Sequence, residues 1–175
     1  VATLLSPQII MAMMTDSEPL NLPPVVPNPE MCDAKDLELL ETGRTTMTGP
    51  EATVCLYPED SDLAAWRLEA VGDEAMADVS IHDAVNDHYI NVHVRGVMEI
   101  EDGWFTRFEI SELSAGSFEL GSILAGQDMS ADVNGSLAEQ RTTDPDMADM
   151  LDEIHLLTVE DGVFVLEMNV PEAPQ

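Results

Sequence analysis

The chain has 175 residues, with six Lys plus Arg against 35 Asp plus Glu and a formal net charge of -29. That balance excludes nucleic acid as a partner, because nucleic acid needs clustered positive charge, and it opposes anionic lipid headgroups. The length suits one domain with an appended arm; hydrophobic residues at 45% are ample for a core, although aromatics reach only 5% and Met takes 11 positions.

Three causes compete for the acidity. It is a solubility device, tolerable in a salty medium where charges are screened; it attracts a basic partner; or it binds divalent cations. Solubility is the usual cause. The cation reading lacks a motif, since no D-x-D-x-D-G loop occurs. No run approaches ~18 consecutive apolar residues, so no segment reads as a membrane-spanning helix.

Residues 1–31 read as an arm. An apolar, Met-rich stretch (Leu4, Leu5, Ile9, Ile10, Met11, Met13, Met14) precedes Leu20, Leu22, Val25 and Val26, which stand among five prolines between Pro19 and Pro29. The prolines exclude helix and ladder pairing and favour extended polyproline II. Such an arm packs on its own domain or on another subunit. The second use suits its apolar character, and the eleven side chains named are then the partner-binding set.

Residues 32–175 read as one α+β domain. Ala34–Leu40 carries a short helix that Gly43 ends, and Thr53–Tyr57 (T-V-C-L-Y) reads as a strand. Pro58-Glu59-Asp60-Ser61 resembles a helix start, with Leu63, Trp66, Ala70 and Val71 on one face of the helix that follows and Gly72 as its stop. Val79–Ile81 reads as a short strand.

His88–Ser111 is the strongest element, a long β-hairpin. Ile90, Val92, Val94, Met98 and Ile100 alternate strictly with Tyr89, Asn91, His93, Arg95 and Glu99. Glu101-Asp102-Gly103 suits a three-residue loop with Gly103 left-handed. The register that follows sets Ile100 against Trp104, Met98 against Thr106 and Arg95 against Glu109, with Arg107 diagonal to Glu99. Both arginines then belong to structural ion pairs, each worth a fraction of a kcal/mol.

Further along, helical spacing runs from Ile123 to Arg141. Thr143-Asp144-Pro145 starts another helix, striped by Met147, Met150, Leu151 and Ile154. Glu160-Asp161-Gly162 repeats the earlier turn, and Phe164, Leu166, Met168 and Val170 alternate until Pro171. The echo of E-I-E-D-G-W-F in T-V-E-D-G-V-F implies one continuous antiparallel sheet or two halves of a pseudo-repeat. The expected architecture is a curved antiparallel β-sheet packed on helices, with the extended Pro-rich arm at its N-terminus.

Cys32 and Cys55 lie beside turn-rich sequence, with no C-x-x-C. A disulfide in an exported protein is favoured over two buried thiols in a cytosolic one. The chain begins at Val1 without Met, which removal of a signal peptide or trimming would each explain.

No motif specifies a chemistry. There is no H-E-x-x-H, G-x-S-x-G, P-loop or G-x-G-x-x-G, and His88 and His93, five apart on a strand, point to opposite faces. Neither a metal nor a cofactor is expected, nor a catalytic residue.

The residues V-R-G-V-M-E-I-E-D-G (94–103), L-S-A-G-S-F-E-L-G (113–121) and I-H-L-L-T-V-E-D-G-V-F-V (154–165) resemble those of bacterial envelope proteins of the LmeA-like and broader tubular-lipid-binding (TULIP) type. The resemblance covers roughly half the chain. It implies a curved sheet wrapping helices, a hydrophobic groove and an envelope location, and it carries no catalytic residues. The acidity and the Pro-rich arm depart from it.

Two functions are therefore expected, in order. The first is a non-catalytic exported subunit, periplasmic or otherwise extracytoplasmic and membrane-associated. It docks as an extrinsic part of a larger membrane-protein complex and is held partly by its arm. The second is a periplasmic binder of lipid or another apolar ligand in a groove lined by Met98, Phe108, Met150, Ile154, Phe164 and Leu166. A hydrolase with an acidic site ranks last.

Overall fold

The computed structural model describes residues 14–57, 63–119 and 126–169. Within them the order is β1 (Thr15–Asp16), α1 (Pro29–Thr42), β2 (Arg44–Met47), α2 (Gly49–Cys55), β3 (Leu63–Val71), β4 (Glu74–Asp83), β5 (His88–Glu101), β6 (Trp104–Ala115), β7 (Phe118–Glu119), α3 (Ser130–Thr143), α4 (Pro145–Glu153), β8 (Ile154–Glu160) and β9 (Val163–Met168). The protein is α+β: one curved, antiparallel sheet with helices packed against it.

The sheet is organised on β5. On one edge β5 pairs with β4 along His88–Gly96 and then with β8 at Ile100 and Glu101. On the other it pairs with β1 at Tyr89 and Ile90 and with β6 from Val92 to Glu101. One edge thus serves two partners, and the sheet forks. The β3–β4 hairpin forms one branch, and β8, β9 and β2 form the other. The hairpin turns meet again, where the Gly162 amide donates to the Gly72 carbonyl at 2.8 Å. The branches thereby enclose the concave face.

Both Asp-Gly hairpins close tighter than the sequence reading had them. Glu101 pairs with Trp104 and Glu160 with Val163, leaving two-residue loops with Asp102 at φ 48° and Asp161 at φ 51°. Two successive left-handed residues match the twist of the flanking strands, and Asp tolerates that region better than most side chains. The register shifts accordingly: Ile100 faces Phe105, Met98 faces Phe108, and Arg95 faces Glu112. Bulges absorb Thr106 and Ser111 in β6, so the alternation on β5 is undisturbed. The first bulge places Arg107 directly opposite Glu99, but its guanidinium binds Glu109 at 2.7 Å. The two arginines are structurally paired, with partners other than those expected.

Two elements reverse the expectation. Thr53–Cys55 belongs to helix α2, and Leu56 and Tyr57 follow it without forming a strand. The cause is a capping box: the Thr48 hydroxyl accepts from the Glu51 amide, and the Glu51 carboxylate accepts from the Thr48 amide. Leu63–Val71 is a strand, not a helix. Its residues favour helix, but alternation decides. Leu68 and Ala70 pack on the core while Arg67 and Glu69 pair with each other at 3.3 Å. The helix start expected at Pro58–Ser61 lies outside the described residues, as do Leu120, Ile123, Val170 and Pro171.

Helix α1 runs across the expected boundary between residues 31 and 32. Asn28 caps it and Gly43 stops it in a left-handed conformation. Cys32 in α1 and Cys55 in α2 form a disulfide, with Cα atoms 5.4 Å apart. The closely packed core lies beside it, with Met47, Ala52, Val159 and Phe164 buried together under Cys55, Leu68, Ala70 and Ala75.

Candidate functional site: an apolar groove in the concave face

The described residues leave the interior of the fork unfilled. Between the branches lies an apolar cavity of about 440 Å³. Its floor is β5 and β6, through Val94, Gly96, Val97, Met98, Phe108 and Ile110. Its walls are Leu68, Ala75, Met76 and Ala77 on one branch and Met47, Ile154, Leu157, Phe164, Leu166 and Met168 on the other. Among the described residues, Glu109 is the one lining residue with an ionisable side chain. Two large side chains at the rim, Leu56 and Met150, are 48% and 57% exposed.

The six residues expected to line a groove, Met98, Phe108, Met150, Ile154, Phe164 and Leu166, all border this one cavity. Local rules put them there. Met98 and Phe108 are direct cross-strand neighbours, and period-2 alternation points Phe164 and Leu166 the same way from β9. On α4, Met147, Met150, Leu151 and Ile154 recur at helical spacing, and Leu151 is the buried member. Ile154 itself begins β8. Sequence reasoning missed the β3–β4 wall, because β3 was read as a helix. The alternation of Trp66, Leu68 and Ala70 with Arg67 and Glu69 was the available signal.

Gly96 lets β5 and β6 approach closely in the floor. A Cβ there would strike the Glu109 carbonyl oxygen and come within 3.0 Å of the Ile110 Cα, so the strands can approach so closely only at a glycine. At the far end, the side-chain amide of Asn134 bonds the Phe105 amide at 2.9 Å and the Phe105 carbonyl at 2.8 Å. Helix α3 is thereby fixed to β6 as a strand would be. Arg141 adds a second tie: its guanidinium donates to the Gly103 carbonyl at 2.6 Å, pairs with Asp152 and lies 4.2 Å over the Trp104 ring.

The opposite face is polar and closed by its own pairs. Asp78 is buried there, with its carboxylate accepting from Arg67 Nε at 3.0 Å, from Arg67 Nη2 at 2.5 Å and from His93 Nδ1 at 2.6 Å. Burial pushes its pKa up, but the hydrogen bonds from His93 and Arg67 outweigh burial and hold it below the ordinary value. Arg95 continues the network, 2.7 Å from Glu74 and 3.4 Å from Glu112. These groups fasten β3, β4, β5 and β6 to one another. Among the described residues no group of three or more His, Cys, Asp or Glu is arranged to hold a metal ion.

The arm, where described, lies on its own domain. Thr15 and Asp16 extend the sheet beside β5. The Leu20 amide donates to the Ser80 hydroxyl at 2.9 Å, and Asn91 donates to the Asp16 carboxylate and the Glu18 carbonyl, both at 3.0 Å. Ser80 is fully buried. Of the expected partner-binding residues, Met14, Leu20, Leu22 and Val25 are half-buried, and Val26 is 69% exposed. Leu4, Leu5, Ile9, Ile10, Met11 and Met13 lie outside the described residues.

The disulfide fits an oxidising, extracytoplasmic setting, and no helix among the described residues is long and apolar enough to cross a membrane. No protein-family model, curated protein or solved structure matches the chain.

Proposed function

We propose that this protein is a non-catalytic, extracytoplasmic binder of an apolar ligand of lipid class, held in the concave groove between the two branches of its sheet. One observation carries the reading: a cavity of about 440 Å³ whose lining, among the described residues, is apolar except for Glu109. That volume falls within the ~300–1,000 Å³ of small-molecule sites. Four of the lining residues, Met47, Met98, Met150 and Met168, carry flexible thioethers that adapt to a chain of variable shape. This reading agrees with the groove implied by the resemblance to tubular-lipid-binding domains.

The test is binding of an uncharged, environment-sensitive apolar dye, with native mass spectrometry of protein purified without detergent. Met150→Trp narrows the mouth at an exposed position and leaves the core alone. It should weaken dye binding about tenfold, equivalent to ~1.4 kcal/mol, with an unchanged circular dichroism spectrum. Dye affinity equal to that of the unmodified protein would refute the groove as the site.

A second reading is an extrinsic subunit of a membrane-associated complex. Its support is the exposure of Val26 at 69%, and of Leu37 at 55% and Leu40 at 77% on α1. Scattered apolar side chains are normal on a surface, so this support is the weaker. Replacing the three by Ser should release the protein from its native membrane fraction. Retention of the triple variant there would end that reading.

A further inference from the structure

Resting on the groove as a ligand site, we infer that its ligand carries an uncharged polar head and that free fatty acids and anionic phospholipids are discriminated against. The argument comes from where the positive charges are. The chain has six Lys and Arg residues. Each is within ion-pair distance of a carboxylate: Lys35 of Glu51 at 3.2 Å, Arg44 of Glu167 at 3.0 Å, Arg67 of Asp78 at 2.5 Å, Arg95 of Glu74 at 2.7 Å, Arg107 of Glu109 at 2.7 Å, and Arg141 of Asp152.

None of the six lines the groove, and no histidine does. Three arginines adjoin lining residues in sequence, and each is held by carboxylates: Arg67 by Asp78, Arg95 by Glu74 and Glu112, and Arg107 by both oxygens of Glu109, through Nε at 2.7 Å and Nη2 at 3.2 Å. A carboxylate or phosphate seated at the mouth would find no unpaired Lys or Arg among the described residues. It would also enter the field of a chain carrying a net charge of -29. A cationic head fares better in that field but loses its hydration beside apolar walls, where the one carboxylate is already paired. A hydroxyl or ester head meets neither penalty.

Two probes of equal chain length separate the cases: dodecanol and dodecanoate, each displacing the uncharged dye from the full chain at neutral pH. At low salt dodecanol should displace it at about tenfold lower concentration. Raising salt to about 1 M should narrow that ratio severalfold, because screening removes the long-range part of the repulsion. Met150→Arg, which sets a cation at the exposed rim, should shift the ratio of the two probes severalfold toward dodecanoate, whatever it does to the affinity they share. Equal displacement by both probes, or stronger displacement by dodecanoate, overturns the charge inference while the groove reading stands. Displacement by neither, in a protein that binds no dye, overturns both.

Discussion

Asp78→Asn removes a buried charge and almost nothing of its shape. In the native protein the carboxylate accepts three hydrogen bonds, two from Arg67 and one from His93. Hydrogen bonds involving a charged group contribute ~1.5–3 kcal/mol, and removing one member of a fully buried ion pair costs ~3–5 kcal/mol. Here the partners are only partly buried, with the Arg67 and His93 side chains 38% and 30% exposed. Water re-solvates both cationic and imidazole groups once the carboxylate is gone. The expected loss therefore sits at the lower end, about 2–3 kcal/mol at pH 7.

The pH dependence has a definite sign. The carboxyl is held below its ordinary value of 3.8, so its contribution is fully present above that pH and disappears as pH falls through the depressed folded value. The assay is urea denaturation of both proteins from pH 7 to pH 2, comparing midpoints at constant slope. Taking the difference between the two cancels the general effect of titrating the other carboxylates. The gap should be flat down to about pH 5 and close below pH 3.8. A gap under about 0.5 kcal/mol at pH 7, within the range of ordinary surface substitutions, would refute the network's stabilising role. So would a gap that persists undiminished at pH 2.

Gly96→Ala forces a Cβ against the Glu109 carbonyl and should cost about 3 kcal/mol or prevent folding, read as a lowered thermal midpoint. Asn134→Ala removes both bonds to the Phe105 backbone and should cost about 1–2 kcal/mol, with hydrogen-exchange protection lost at Phe105 before the rest of β6. Replacing Cys32 and Cys55 together by Ser releases a bridge across a separation of 23 residues and should cost about 3 kcal/mol in chemical denaturation. Reducing agent should destabilise the unmodified protein by a similar amount and leave the double variant unchanged.

Much of the architecture was legible in local chemistry. The alternation from Tyr89 to Ile100 fixes which side chains of β5 face the groove, and the two Asp-Gly turns fix where β5–β6 and β8–β9 fold back. Asp144-Pro145 marks the start of α4, and Gly43 marks the end of α1. The six groove residues follow from those elements, because a strand or a helix stripe has only one apolar side to present. The two failures are equally local. Thr48-Gly49-Pro50-Glu51 is a capping box that outweighs the strand-like T-V-C-L-Y. In Leu63–Val71 strong helix formers yield to pairing with β4, whose partner contacts no single segment can display.

By itself, the sequence determined the charge, the periodicity of each long strand, the turns and the pair of cysteines, since each of these is set by residue type and near neighbours. Only the tertiary structure decided that β5 shares one edge between β4 and β8, and that the described residues of the fork this creates border a cavity. It also decided which carboxylate each arginine meets. Loop length and bulges set that register, and a shift of one residue moves every partner across the sheet.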